Sequence, residues 1–261
     1  MSAIEIKDLS IGYRNRKNEN AIHTGLNLTL EAGKLTCILG KNGSGKSTLL
    51  KTLCGFIPAL GGSVTINGKP AIEYSSEEFS KTVGVVLTEN TNAGGLTVRE
   101  LVALGRYPYS GYFGQLDDYD NEVIEKAMND VNISHKSSHY VSELSDGERQ
   151  KAFIAKVLAQ ECPIIILDEP TSFLDVTSRI DVLFLMKDIA ARQHKAVLLS
   201  THDIEIAVRL ADILWLMPEK CNINVTKGSP KELISNGNLE NLFNFGADLE
   251  KNKIVKETLG I

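Results

Sequence analysis

Ile4 and Ile6 alternate with polar neighbours near the start of the chain, and Leu26, Leu28 and Leu30 do the same further on. A two-residue period puts one face of a segment on a core and the other in water, so both segments are read as strands. Leu35–Leu39 (LTCIL) is different: it is a nearly continuous apolar run that ends in Gly40, as expected of a strand buried on both faces of a parallel sheet. Residues 83–87, Ile164–Leu167, 196–200 and 213–217 have the same character. Gly61 and Gly62 are read as a turn into a strand over 63–66.

Between these runs the spacing becomes helical, over 47–54, 98–104, 121–131, 148–160 and Val176–Arg192. Two helices open on a capping-box signature, Thr97-Val-Arg-Glu100 and Ser145-Asp-Gly-Glu148. Strands alternating with helices predict an α/β fold around a sheet that is largely parallel in its core. Residues 89–162 read as a helical insertion. One unit is expected over 1–230, with 231–261 a polar, weakly patterned tail that packs on it or extends it.

Composition narrows the function classes. Hydrophobic residues make up 43% and charged residues 23% of the 261, ordinary values for a globular protein. The net charge of -5 carries no footprint for nucleic acid. Cys37, Cys54, Cys162 and Cys221 form no CxxC pair, which argues against a zinc site or a disulfide framework. No basic-then-apolar leader opens the chain, and no apolar run approaches the roughly 18 residues of a membrane span. Work at a membrane would need another chain as anchor.

The segment Gly40-Lys41-Asn42-Gly43-Ser44-Gly45-Lys46-Ser47, followed by Thr48, fits G-x-x-x-x-G-K-[ST] between a strand and a helix. Glycines let backbone N–H groups turn inward around an anion, and the helix adds its positive N-terminal end. Lys46 supplies a point charge for the β- and γ-phosphates of a nucleotide, and Ser47 a hydroxyl for Mg²⁺.

Two further features sit at strand ends. Asp168-Glu169 follows Ile164–Leu167, at the mouth of the sheet where ligands bind. The pair reads either as a metal-holding acid and a base that polarises water, or as an acidic cap for the next helix. His202 follows the strand at 196–200. It reads either as a γ-phosphate or water contact, or as a satisfied structural histidine.

Taken together, these residues resemble the ABC-transporter ATPases over about residues 3–230. The family's signature matches Leu144-Ser-Asp-Gly-Glu-Arg-Gln150, its Walker B strand Ile164–Glu169, its D-loop Ser172-Phe-Leu-Asp175 and its switch histidine His202. Tyr13 falls where the family carries an adenine-stacking aromatic. The resemblance implies an N-terminal antiparallel β region, a helical subdomain, and hydrolysis of ATP with Mg²⁺. In that picture Lys46, Glu169 and His202 are catalytic, and Ser47 and Asp168 hold the metal. It also implies a head-to-tail dimer, in which Ser145, Asp146, Gly147 and Glu148 of one copy face the nucleotide held by the other, with Asp175 in the D-loop.

The segment 96–108 (LTVRELVALGRYP) resembles ATPases of importers for ferric siderophores, haem or vitamin B12. Partners implied are a membrane permease, which would hold the chain at the cytoplasmic face of the membrane, and indirectly a substrate-binding protein. A soluble ABC ATPase of DNA repair, translation or cofactor assembly is the alternative.

Three places depart from the family pattern. Thr88, with Glu89 next, stands where a glutamine usually contacts the metal. Asp146 replaces a glycine of the signature and Glu148 its glutamine, and Asp146 is expected to point away from the γ-phosphate. Tyr107, Tyr109, Tyr112 and Phe113 form an aromatic cluster, read either as local packing or as a permease-docking groove.

Overall fold

The computed structural model describes residues 2–14, 18–87, 93, 95–111, 114–172, 174–219 and 225–243. In chain order the first elements are β1 (Ser2–Arg14), β2 (Glu19–Glu31), β3 (Leu35–Leu39), α1 (Lys46–Leu53), β4 (Gly61–Ile66) and β5 (Lys69–Pro70). β1 pairs antiparallel with β2 on one side and β4 on the other, giving an antiparallel sheet in the order β2-β1-β4-β5. The alternating residues Ile4, Ile6, Leu26, Leu28 and Leu30 are all buried, as their period requires. Gly61 and Gly62 lie inside β4 rather than in a turn before it. A Cβ on Gly62 (φ +80°) would lie 2.6 Å from Leu9 Cα, so this glycine lets β4 approach the β1 backbone where their register shifts.

The chain continues through α2 (Ser76–Thr82), β6 (Val83–Val86), α3 (Val98–Ala103), α4 (Asp118–Asp130), α5 (Asp146–Ala159), β7 (Ile164–Leu167), α6 (Val176–Arg192), β8 (Ala196–Thr201), α7 (Ile204–Leu210), β9 (Ile213–Leu216), β10 (Thr226–Gly228), α8 (Pro230–Ser235) and α9 (Asn238–Phe243). The second sheet has the order β10-β9-β3-β8-β7-β6. All its pairings are parallel except β10 with β9. The sheet is therefore mixed and largely parallel, with helices α3, α4 and α5 between β6 and β7.

The continuous apolar runs have a packing reason. Successive residues of β3 serve opposite cores: Leu35, Cys37 and Leu39 face the helices α3 to α9, while Ile38 faces α1 and the antiparallel sheet. A strand buried on both sides has no polar face to alternate with. Register then builds the site. Leu39 lies opposite Thr201, and Leu167 opposite Leu199, so β3, β7 and β8 end along one edge. Gly40, Asp168 and His202 each follow within two residues.

α3 and α6 start where the periodicity places them, at Val98 and Val176, whereas α1, α4 and α5 start one to three residues earlier. α5 begins at Asp146 because the Ser145 cap and not the apolar stripe sets its first turn, and α1 begins at Lys46, directly after the left-handed Gly45. Residues 230–243 are more ordered than their weak pattern predicts. Ser229 and Glu232 form a capping box with Pro230 in the first turn of α8, and Leu233 and Leu239 are buried in the same core as the sheet.

Candidate functional site

The connection from β3 to α1 is held open by its glycines for separate reasons. Gly43 (φ +82°) and Gly45 (φ +94°) adopt left-handed backbone. A Cβ on Gly40 would lie 2.5 Å from both the Met217 carbonyl oxygen and Ser44 Oγ. Helices α2 to α8 each receive a side-chain hydrogen bond or capping box from their N-cap residue. α1 has neither a side-chain cap nor an acid in its first turn. Ser44 Oγ is buried and has no hydrogen-bond partner among the described residues. Uncapped helix N–H groups beside a buried, unpartnered hydroxyl form a cradle suited to an anion.

Lys46 is 5% exposed and donates from Nζ to the carbonyls of Gly40 at 2.8 Å and Lys41 at 3.1 Å. Burial lowers its pKa below the usual lysine value, and Glu169 and Asp168 work against that shift. Lys46 Nζ is 4.0 Å from Glu169 Oε1, and Glu169 Oε2 is 3.7 Å from His202 Nδ1. Lys46, Glu169 and His202 therefore form one chain of contacts, brought from α1, the end of β7 and the end of β8. Asp168 is 3% exposed and its Oδ1 accepts from Ser200 Oγ at 2.6 Å. The loop's remaining side chains spread outward: Lys41 lies 3.8 Å from Glu219, and Asn42 is exposed. Tyr13 is half exposed, and its hydroxyl lies 3.3 Å from Thr48 Oγ1, which fixes the ring beside the loop.

The signature residues join a different neighbour. Ser145 caps α5, and Glu148 closes the box by accepting from both Ser145 N (3.0 Å) and Ser145 Oγ (2.8 Å). Those two bonds, with Lys136 adding less, hold the Glu148 carboxyl below its usual pKa. Asp146 pairs with Arg149 at 2.8 Å. Gly147 lies against Leu174, the residue before the α6 cap Asp175. Thr88 and Glu89 lie outside the described residues, as do Tyr112 and Phe113. Within the aromatic cluster the two readings divide. Tyr107 is 74% exposed, whereas Tyr109 stacks 4.3 Å over the Arg106 guanidinium and donates to the Gln160 carbonyl.

Two residues of the site carry no motif. His23 Nε2 bonds the Ser44 carbonyl at 2.8 Å from β2, and Ser200, on β8, bridges the Asp168 carboxylate and the Glu169 backbone N–H. Each is a polar residue at a buried position of a strand, which is the only signal the sequence offers for them.

A phosphate loop feeding an uncapped helix, beside two acids at the end of a neighbouring parallel strand, defines a nucleotide-hydrolysing protein of the phosphate-loop class. The family described as ABC transporter matches residues 23–172, more than half of the chain. The chain belongs to that family, and its catalytic activity is that of an ATPase.

The ferric enterobactin transport ATP-binding protein FepC of Escherichia coli is 35% identical over 237 residues, 91% of this chain and 85% of that protein. The iron(3+)-hydroxamate import ATP-binding protein FhuC of Bacillus subtilis is 31% identical over 249 residues, 95% and 90% of the two chains. Among solved structures, an inward-facing transporter described as of metal-chelate type superposes with a TM-score of 0.78 at 29% identity, covering 94% of this chain and 90% of that one. The dimeric cassette MJ0796 with ADP and Pi shares the fold, with a TM-score of 0.76 at 24% identity over 87% and 98% of the chains.

Proposed function

We propose that this chain binds and hydrolyses ATP as the motor subunit of a membrane importer for an iron chelate, haem or cobalamin. The observation that carries the reading is the contact chain Lys46–Glu169–His202 at the mouth of the parallel sheet, with the uncapped α1 cradle on one side and Asp168 on the other. The names of the relatives FepC and FhuC support the class of cargo. No helix among the described residues is long and apolar enough to cross a membrane, so a permease partner supplies the anchor. The exposed Tyr107 and Leu104 belong to the surface offered to it.

Backbone N–H groups of Gly43, Ser44, Gly45, Lys46, Ser47 and Thr48 bind the phosphates, with Gly40, Lys41 and Asn42 shaping the loop and Tyr13 stacking on the base. Lys46 exchanges its bonds to the Gly40 and Lys41 carbonyls for phosphate oxygens. Among the described residues no group of three or more His, Cys, Asp or Glu could hold a metal alone. That suits Mg²⁺, which takes one or two protein oxygens plus phosphates, here Ser47 Oγ and Asp168. Once bound there it would draw charge off the β- and γ-phosphates. Glu169 orients and deprotonates the attacking water, and His202 holds Glu169 and the γ-phosphate in register.

A second copy, head to tail, completes the site with Ser145 and Gly147. The bond from Ser145 Oγ to Glu148 must then give way, and Asp146 stays on Arg149, away from the phosphate. Asp175 lines the same dimer face.

Glu169→Gln tests the reading. It retains ATP binding and loses about 10²–10⁴-fold in turnover, the usual contribution of a general base. Retained turnover refutes the assignment. Co-purification with an apolar multi-span partner, followed by uptake of labelled haem, ferric siderophore and cobalamin, tests the importer against a soluble role.

A further inference from the structure

Ser200 is fully buried on β8, and its single hydroxyl lies between the Asp168 carboxylate and the Glu169 backbone N–H, just past the end of β7. The Glu169 backbone N–H donates to Ser200 Oγ at 2.8 Å, and the same oxygen lies 2.6 Å from Asp168 Oδ1. Proton counting fixes the direction. A backbone N–H can only donate, so Ser200 Oγ accepts there, and its one proton goes to Asp168. Asp168 is thereby held as an acceptor at Oδ1, in one rotamer.

The other end of the bridge holds a strained backbone. Glu169 has φ +46°, a left-handed conformation that is unfavourable for a residue with a Cβ. Ser172 grips the carbonyl of the same residue, from its N–H at 3.2 Å and its Oγ at 2.9 Å. Two serines therefore clamp Glu169 at its N–H and its C=O, and one of them also orients Asp168.

We propose that Ser200 is a positioning residue for the hydrolytic step: one hydroxyl from the neighbouring strand sets both the metal-holding face of Asp168 and the direction in which Glu169 leaves the backbone. It touches neither nucleotide nor attacking water. The inference rests on the roles proposed above for Asp168 and Glu169.

The test uses the purified full chain. In a Glu169→Gln background, which binds without turnover, a fluorescent ATP analogue reports affinity without Mg²⁺ and the Mg²⁺ midpoint for tight binding. Ser200→Ala should raise that midpoint about tenfold, at the lower end of what an orienting partner of a metal ligand contributes. It should leave the Mg²⁺-free affinity within about twofold, since the hydroxyl acts on the acids and not on the cradle. With Glu169 intact, kcat should fall by a similar factor, and Ser200→Thr, which keeps the hydroxyl, should restore both.

An unchanged midpoint in Ser200→Ala, or equal losses with and without Mg²⁺, overturns the proposal. If Ser200→Ala does not fold, Ser200→Cys, which fills the space but hydrogen-bonds weakly, is read in the same way. Asp168→Asn separates the layers. If its midpoint is also unshifted, the assignment of Asp168 fails and takes this inference with it. A shifted Asp168→Asn beside an unshifted Ser200→Ala overturns Ser200 alone.

Discussion

Lys136 Nζ lies 3.3 Å from Glu148 Oε1, placing a cation beside the carboxylate that shares a capping box with Ser145. A carboxylate there suits the helix start but repels an incoming triphosphate, and Lys136 offsets that charge. Both side chains are about 30% exposed, so the coupling stays below about 1 kcal/mol, or roughly fivefold. Lys136→Met should weaken ATP-driven dimerisation by up to that factor. Glu148→Gln in the same chain should restore it, because an amide needs no neutralising partner. Sedimentation of the four chains of this cycle in the Glu169→Gln background reads the effect, and additive changes would sink the idea.

The bond from His23 to the Ser44 carbonyl fixes a peptide plane. In a trans peptide the C=O and the following N–H point in opposite directions, so holding the Ser44 carbonyl toward β2 turns the Gly45 N–H toward the loop interior. His23→Leu leaves the carbonyl without that partner, at a cost of about 1–3 kcal/mol in stability. ATP affinity should fall with it. Urea unfolding and nucleotide titration measure the two losses, and intact affinity in a destabilised chain would show that the plane does not need His23.

Arg106 is 3% exposed and binds Asp120 through Nε at 2.7 Å, and Ala159 O and Glu161 through Nη1, each at 2.8 Å. Asp120 is nearly buried too, so Arg106→Ala strands a carboxylate and should cost about 3–5 kcal/mol. Arg106→Lys should recover only part of this, because an ammonium lacks the planar fork. Denaturant unfolding decides it. A loss under about 1 kcal/mol for Arg106→Ala would mean the pair is a bystander.

Glu78, Glu100, Glu148 and Glu232 each close a capping box, and each is held below the ordinary carboxyl pKa of 4.5, first by the backbone N–H of its own cap residue. A depressed folded-state pKa gives stability that is complete above the unfolded value and lost as pH falls through the folded one. Unfolding free energy should therefore hold from pH 7 to about 5.5 and decline below about 4.5. A chain with all four residues changed to Gln should show a shallower decline, and identical pH profiles would refute the linkage.

The core strands could be read from the sequence because a two-sided burial demands unbroken apolar residues, and Leu35–Leu39 and Ile164–Leu167 match their runs end to end. α7 and α9 are six or seven residues long and lack the capping-box signature that marks the equally short α3. α8 could have been found from Ser229-Pro-Lys-Glu232, a cap signal with no apolar run behind it to draw the eye. In the site, the loop and the acids stand out because their chemistry needs fixed spacing along the chain. Ser200 needs the β7–β8 register, which pairs Leu167 with Leu199 and sets Ser200 level with Asp168. His23 likewise means nothing until β2 backs the loop.

The uncapped start of α1 couples nucleotide supply to survival of the fold. Helices α2 to α8 carry their own side-chain caps, whereas α1 gains its missing acceptors from a solute. By mass action, a ligand at about 100 times its Kd adds about 2.7 kcal/mol to the folded state. A chain in a starved cell therefore opens more often to proteases than the same chain in a fed one. The motor's abundance, and not only its turnover, then follows the energy charge it draws on.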